Sequence, residues 1–167
     1  MKKLIGLSLV VFLSFQLNAQ TITKNYSNEE IGKMITDFQN AHSRNTTPSA
    51  EILQKFRTDF PNARDIEWEV GGDTYEVEFD VKYTDYKAYY DNKGNLLMYT
   101  YDLSPRQLPS IVKNAVMAKY HKYKIEDVNI IYQGTEVFYK VEIEHNEMPD
   151  MKLIVKEDGS LVKEWND

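Results

Sequence analysis

"IEWEVGGDTYEVEFDV", residues 66–81, is two alternating runs joined by a glycine turn. Glu67, Glu69, Glu76, Glu78 and Asp80 fall on one side of the alternation. Ile66, Trp68, Val70, Tyr75, Val77, Phe79 and Val81 fall on the other. Successive side chains of a strand point to opposite faces, so a period of two marks strands with one face buried. Once the aromatic and aliphatic set turns to a core, the five carboxylates must share the opposite face.

Alternation continues downstream. Strands are predicted over 65–70, 74–82, 86–91 and 96–102, broken by "GGD", "YTD" and "NKGN", the last with a glycine where a hairpin needs positive φ. Upstream, Ile52, Leu53, Phe56 and Phe60 share one side of a helix that Pro61 stops, with Thr47 as its cap and Pro48 at its first position. Earlier still, Ser27 and Glu30 form a capping box ahead of Ile31, Met34, Ile35 and Phe38 at helical spacing. This shorter amphipathic helix and the polar linker after it are expected to be peripheral.

The second half repeats the order. "DLSPRQLPS" is a connection in which Ser104 caps a turn, Gln107 reaches back and Pro109 opens a helix carrying Ile111, Val112, Ala115, Val116 and Tyr120. Strands are predicted over 127–132, 136–144, 151–156 and 161–165. Laid on the first half, Phe60 meets Tyr120 at an offset of 60 and Ile66 meets Val128 at 62. Tyr75 and Val77 meet Tyr139 and Val141 at 64, and Gly94, Leu96 and Leu97 meet Gly159, Leu161 and Val162 at 65. The same order of matches over about fifty residues, with offsets growing between elements where insertion is cheapest, indicates a duplicated unit.

The chain opens with Lys2 and Lys3, an apolar run from Leu4 to Phe15, and Ala19 as a small residue beyond it. That is the order of a secretory signal peptide, and the run is too short for a bilayer span of about 20 residues. Cleavage after Ala19 is expected, placing the protein in the periplasm or outside the cell. The organisation expected is a signal peptide over 1–19, an N-terminal helix and linker over 20–48, and repeats over 49–103 and 104–167. With the two lysines of the leader gone, 18 basic side chains face 26 acidic ones, a net charge of −8. Such a balance disfavours a nucleic-acid binder or a polybasic membrane binder. The chain has no cysteine, hence no disulfide, thiolate or lipid-anchoring cysteine, and its 12 Tyr, 7 Phe and 2 Trp must supply the core.

"FPNARDIEWE", "YEVEF", "AYYDNKGNLL", "YDLSPRQLP" and a weaker second copy resemble the PepSY-like, β-lactamase-inhibitor-like family of secreted proteins from Gram-negative bacteria, over roughly residues 49–165. The resemblance implies an α+β fold of two tandem repeats, each one helix on a four-stranded antiparallel sheet, with the sheets side by side as a curved surface. It supplies no catalytic residue. The chain departs from the disulfide-stapled β-lactamase inhibitor in having no cysteine.

His42, His121 and His145 stand outside any metal-ligand spacing, and no nucleophile elbow, phosphate loop or dinucleotide fingerprint occurs. No catalytic residue, metal or cofactor is expected. The acids of the opening stretch have a plain reading as a solvated face, a second as a protein-recognition surface, and a third as a cation site. The third is disfavoured because acids two apart on a strand are about 6.8 Å apart, too sparse for calcium. As recognition surface, Glu67, Glu69, Glu76, Glu78 and Asp80 would steer a basic protein or peptide partner. Tyr89 and Tyr90 are adjacent, so alternation lets only one face the core, and the outward one joins the candidate contacts. The function expected is that of a non-enzymatic, inhibitor-like binding protein; the competing classes are a small metal-dependent or carboxylate-based hydrolase and a structural envelope protein.

Overall fold

The computed structural model describes residues 26–41 and 43–166. The leader expected at 1–19, and His42, lie outside them. The Ser27 hydroxyl accepts a hydrogen bond from the Glu30 amide while the Glu30 carboxylate accepts one from the Ser27 amide, and this reciprocal cap opens α1, Asn28–Asn40. After a two-residue strand, β1 (Arg44–Asn45), α2 runs over Ala50–Asp59. Its cap is Ser49, whose hydroxyl accepts from the Ile52 amide, so the expected Thr47 cap gives way and Pro48 lies outside the helix. Four strands follow: β2 (Arg64–Gly71), β3 (Thr74–Val81), β4 (Thr84–Asp91) and β5 (Leu96–Leu103). Ser104 and Gln107 form the expected turn, with the Ser104 amide donating to Oε1 of the Gln107 side chain. Then come α3 (Ser110–Lys119), β6 (Lys124–Gln133), β7 (Glu136–Glu144), β8 (Met151–Lys156) and β9 (Leu161–Asn166).

All nine strands join one sheet in chain order, every neighbouring pair antiparallel. Trp68, Val77, Phe79, Ala88 and Tyr90 on one face pack against Ile52 and Phe56 of α2. Phe56 is the hub of this cluster, its ring 5.2 Å from Trp68 and 5.0 Å from Phe79, both edge-on. In the second repeat Val128, Val141, Leu153 and Val155 pack on the same face against Val112 and Val116 of α3. The repeats meet where β5 pairs with β6, from Met98 opposite Gln133 to Leu103 opposite Val128. Tyr99 and Tyr132 stack there, rings 4.6 Å apart and 8° from parallel, and burial pushes the Tyr99 hydroxyl up to about 12.

The duplication extends to irregularities. Register shifts fall between Arg64 and Glu67 in β2 and between Ile125 and Asp127 in β6, then at Leu97 of β5, opposite Tyr89 and Tyr90, and at Val162 of β9, opposite Ile154 and Val155. Bulges bend strands at fixed places, so matched bulges argue for a copied backbone and not merely a copied pattern. Register also corrects one residue match. Trp68 opposes Val77 and Val128 opposes Val141, so Trp68, not the exposed Ile66, is the counterpart of Val128. The shift arises because the β6–β7 hairpin is two residues longer on each arm.

The largest departure from expectation is α1, which is not peripheral. Ile31, Ile35 and Phe38 bury against Tyr89 and Leu97, with Met98 beside them. The helix therefore lies on the face opposite α2 and α3. Its ends rest on different repeats: Phe38 sits against Gly71 in the first, and Asn28 lies beside Gly134 and hydrogen-bonds Glu136 in the second.

Candidate functional site

The antiparallel register lines up side chains of the face opposite α2 and α3 in rows across the sheet. The upper row runs Glu69, Glu76, Tyr89, Met98, Gln133, Glu136. The middle row runs Glu67, Glu78, Lys87, Thr100, Ile131, Phe138, Lys156. Below it Asp80 opposes Asp85 and Asp102 follows in the first repeat, and Asn129, Lys140, Ile154 and Lys163 continue across the second. The middle and lower rows thus change from acidic to basic across the junction of the repeats, whereas the upper row is uncharged at the junction and ends in Glu136.

The upper row lies beneath α1, and this revises the site read from the sequence. Glu76 is 7% exposed; Tyr89 opposes it across the β3–β4 pair and Lys87 stands 3.2 Å from its carboxylate. Burial first, then the bond to Glu76, pushes the Tyr89 hydroxyl well above its ordinary value, so it stays a donor. Neither tyrosine of the adjacent pair faces outward. Tyr89 is closed in by Phe38 of α1, and Tyr90 is buried on the other face, its hydroxyl donating to Asp59 at 2.9 Å. Alternation separated the two correctly, but a second cover removed the solvent from Tyr89.

Glu67 and Glu78 are exposed, and Glu69 and Asp80 are half-buried. Lys87, missing from the sequence-based site, sits among them and is 2.6 Å from Glu78. Burial alone would lower the Lys87 ammonium, but the hydrogen bond to Glu78 and the charge of Glu76 outweigh it and hold the ammonium above its usual value. One cation shared by two glutamates makes the opposed pairs Glu69/Glu76 and Glu67/Glu78 tolerable. Below α1 the middle and lower rows line a shallow trough of about 580 Å³. Its walls include Glu67, Glu78, Asp80, Asp85 and Asp102 from the first repeat, and Asn129, Ile131 and Lys140 from the second; Met98 and Thr100 lie between. The Asp80 carboxyl is held above the ordinary carboxylate range, chiefly by a hydrogen bond shared with Asp85. Burial, then the charge of Asp127, does the same to Asp102.

Among the described residues, no group of three or more His, Cys, Asp or Glu side chains is placed to hold a metal ion. His145 serves its own turn: its Nδ1 accepts from the amides of Glu147 and Met148, at 3.0 and 3.1 Å. His121 is exposed. No described helix is long and apolar enough to cross a membrane. The site offers charge, hydrogen-bonding groups and a shallow, partly apolar floor. It is a geometry suited to holding a surface.

A protein family described as "Putative beta-lactamase-inhibitor-like, PepSY-like" matches the chain twice, over residues 33–98 and 73–163. A solved BLIP-like protein from Bacteroides fragilis is similar, with 26% identity over 72% of this chain and 87% of its own, at a TM-score of 0.64. A DUF2874 family protein from Bacteroides ovatus shares the fold at 19% identity, covering 72% of this chain and 89% of its own, with a TM-score of 0.65. Another from Bacteroides uniformis does so at 18%, over 72% and 90%, also with a TM-score of 0.65. Among curated proteins none matches.

Proposed function

The chain belongs to the PepSY-like family, and on that basis we propose that it is an exported, non-enzymatic binding protein that holds a basic protein or peptide partner in the trough below α1. The observation that carries this reading is the composition of the trough: six first-repeat carboxylates, Asp65, Glu67, Glu78, Asp80, Asp85 and Asp102, against two lysines, Lys140 and the Lys87 that Glu76 and Glu78 already share. A cationic surface entering there relieves like-charge repulsion, and the excess acid speeds its approach. The family description and the name of the BLIP-like relative support an inhibitor-like manner of binding. Export rests on the leader read at residues 1–19.

Affinity capture from periplasmic extract, read by mass spectrometry, tests this with the wild-type chain beside a Glu78→Lys, Asp80→Lys variant. The expected result is a partner retained by the wild type at low salt, released as salt rises, and lost from the variant. The same proteins on both columns, with the same salt response, would remove the trough as the binding surface.

A further inference from the structure

We propose that α1 is a displaceable cover: it occupies a helix-receiving groove built jointly by the two repeats, and its release extends the trough by the upper row of Glu76, Tyr89, Met98 and Gln133. This rests on the reading of the trough as the partner site and adds its regulation.

Three observations carry the inference. The groove is shaped for a helix from both sides of the duplication. A Cβ on Gly71 would lie 2.9 Å from the Phe38 ring and 3.1 Å from the Phe38 carbonyl oxygen, so the bare backbone is what lets the end of α1 seat there. At the other end Gln133 donates to the Asn28 carbonyl oxygen at 2.9 Å, and Asn28 donates to Glu136.

The interface also includes polar groups at its margins. Ile31, Ile35 and Phe38 form a narrow stripe at i, i+4 and i+7, but around them lie the Glu76 carboxylate, the Tyr89 hydroxyl, the Gln133 amide, and Tyr26 donating to Asp91 at 2.8 Å. Interfaces that open and close are more polar than permanent ones, because each side must also be stable in water. A core element with no need to open would bury apolar groups there instead.

The tether completes the device. Between α1 and α2 the chain touches the sheet edge through the two residues of β1, Arg44 opposite Val70 and Asn45 opposite Glu69, and through the Thr46 amide donating to the Trp68 carbonyl oxygen. Among the described residues little backbone pairing opposes departure of the helix, and the cores under α2 and α3 are clusters separate from the one under α1.

Two measurements on the full chain decide the matter. In native-state hydrogen exchange of the wild type, α1 amides should exchange at least about 100-fold faster than those of β3 and β4, through an opening smaller than global unfolding. Equal protection in helix and strands would overturn the proposal. The second uses Ile35→Asp, which puts a charge in the stripe, and a labelled peptide of residues 26–41 as probe. The variant should keep its cooperative melt and bind the peptide at least about tenfold more tightly than the wild type, whose groove is occupied. No binding, equal binding, or loss of the cooperative melt would make α1 an integral part of the fold. Neither measurement involves the partner, so failure here leaves the trough reading standing, and an inert trough shows in the capture experiment and not in these two.

Discussion

Tyr89 and Tyr90, adjacent in β4, are buried on opposite faces of the sheet: Tyr89 lies edge-on to Phe38 of α1 at 5.8 Å, and Tyr90 edge-on to Phe56 of α2 at 6.3 Å. The Tyr90 hydroxyl also donates a hydrogen bond to Asp59, and the Tyr89 hydroxyl, held protonated by burial and by its hydrogen bond with Glu76, faces that carboxylate. At this point the sheet is the middle layer of three, while lower down it has one bare face.

The two hydroxyls are not equivalent. Tyr90→Phe leaves the half-buried Asp59 without its donor and should cost about 1–2 kcal/mol. Tyr89→Phe leaves Glu76 with Lys87 and should cost less, about 0.5–1 kcal/mol. Urea unfolding midpoints compare them directly; equal losses would mean that Lys87 does not compensate Glu76.

Asp59 predicts a pH dependence of its own. Burial, the largest cause, holds its carboxyl above the ordinary 3.8, against the lowering effects of the Tyr90 hydrogen bond and of Lys55. The native state therefore binds this proton more tightly than the unfolded chain does. Stability from this group rises as pH falls through the raised value, and is lost as pH rises through it. Asp59→Asn keeps an acceptor for Tyr90 and should flatten that part of the profile while slightly stabilising the protein near neutral pH. A variant with an unchanged slope in urea titrations across the acid range would contradict this assignment.

How far the site could be read in the sequence depends on which layer is asked about. Strand phase was legible because Trp68, Val77 and Phe79 alternate with acids without a break, and those three side chains are buried against α2 as the alternation requires. The duplication was legible because Gly94 and Gly159 both take positive φ in equivalent turns. The landing place of α1 was not. Amphipathic spacing says that Ile31, Ile35 and Phe38 need cover, but not which face of which sheet supplies it. The available signal was local: Tyr89 and Met98 are large apolar residues on the acidic face, both near one end, beside a glycine at 71. Lys87 was missed because the β3–β4 register was hidden. Its two turn residues, Lys82 and Tyr83, have φ of 51° and 70° without a glycine to mark them, so the turn was read at "YTD" and Lys87 had no assigned neighbour across the strands.

The paired glycines give a third expectation. Gly94 and Gly159 have φ of +75° and +87°, so alanine is strained at either. Their surroundings differ: a Cβ at Gly94 would meet the movable Lys55 side chain at 2.9 Å, whereas at Gly159 it would meet Ala115 Cβ, fixed to the backbone of α3, at 3.0 Å. Gly159→Ala should therefore cost about 2–3 kcal/mol and Gly94→Ala about 1–2 kcal/mol. Thermal unfolding of both variants checks the order, and the reverse order would mean that α3 shifts more easily than Lys55.

Lys87 is the last test, because it joins fold to site. It is the cation between a buried glutamate and an exposed one, 3.2 Å from Glu76 and 2.6 Å from Glu78. Removing the exposed partner, by Glu78→Gln, should change stability by no more than about 0–1 kcal/mol, since water already screens that pair. Removing the cation, by Lys87→Gln, strands the Glu76 carboxylate under α1 with the Tyr89 hydroxyl. The expected loss is about 2–3 kcal/mol, less than for a fully buried pair because Lys87 itself is partly exposed. The double variant Lys87→Gln, Glu76→Gln should recover most of that loss, as the stranded charge is gone. Urea denaturation of the three variants gives the coupling, and no recovery in the double variant would show that Lys87 acts through packing and not by holding the charge of Glu76.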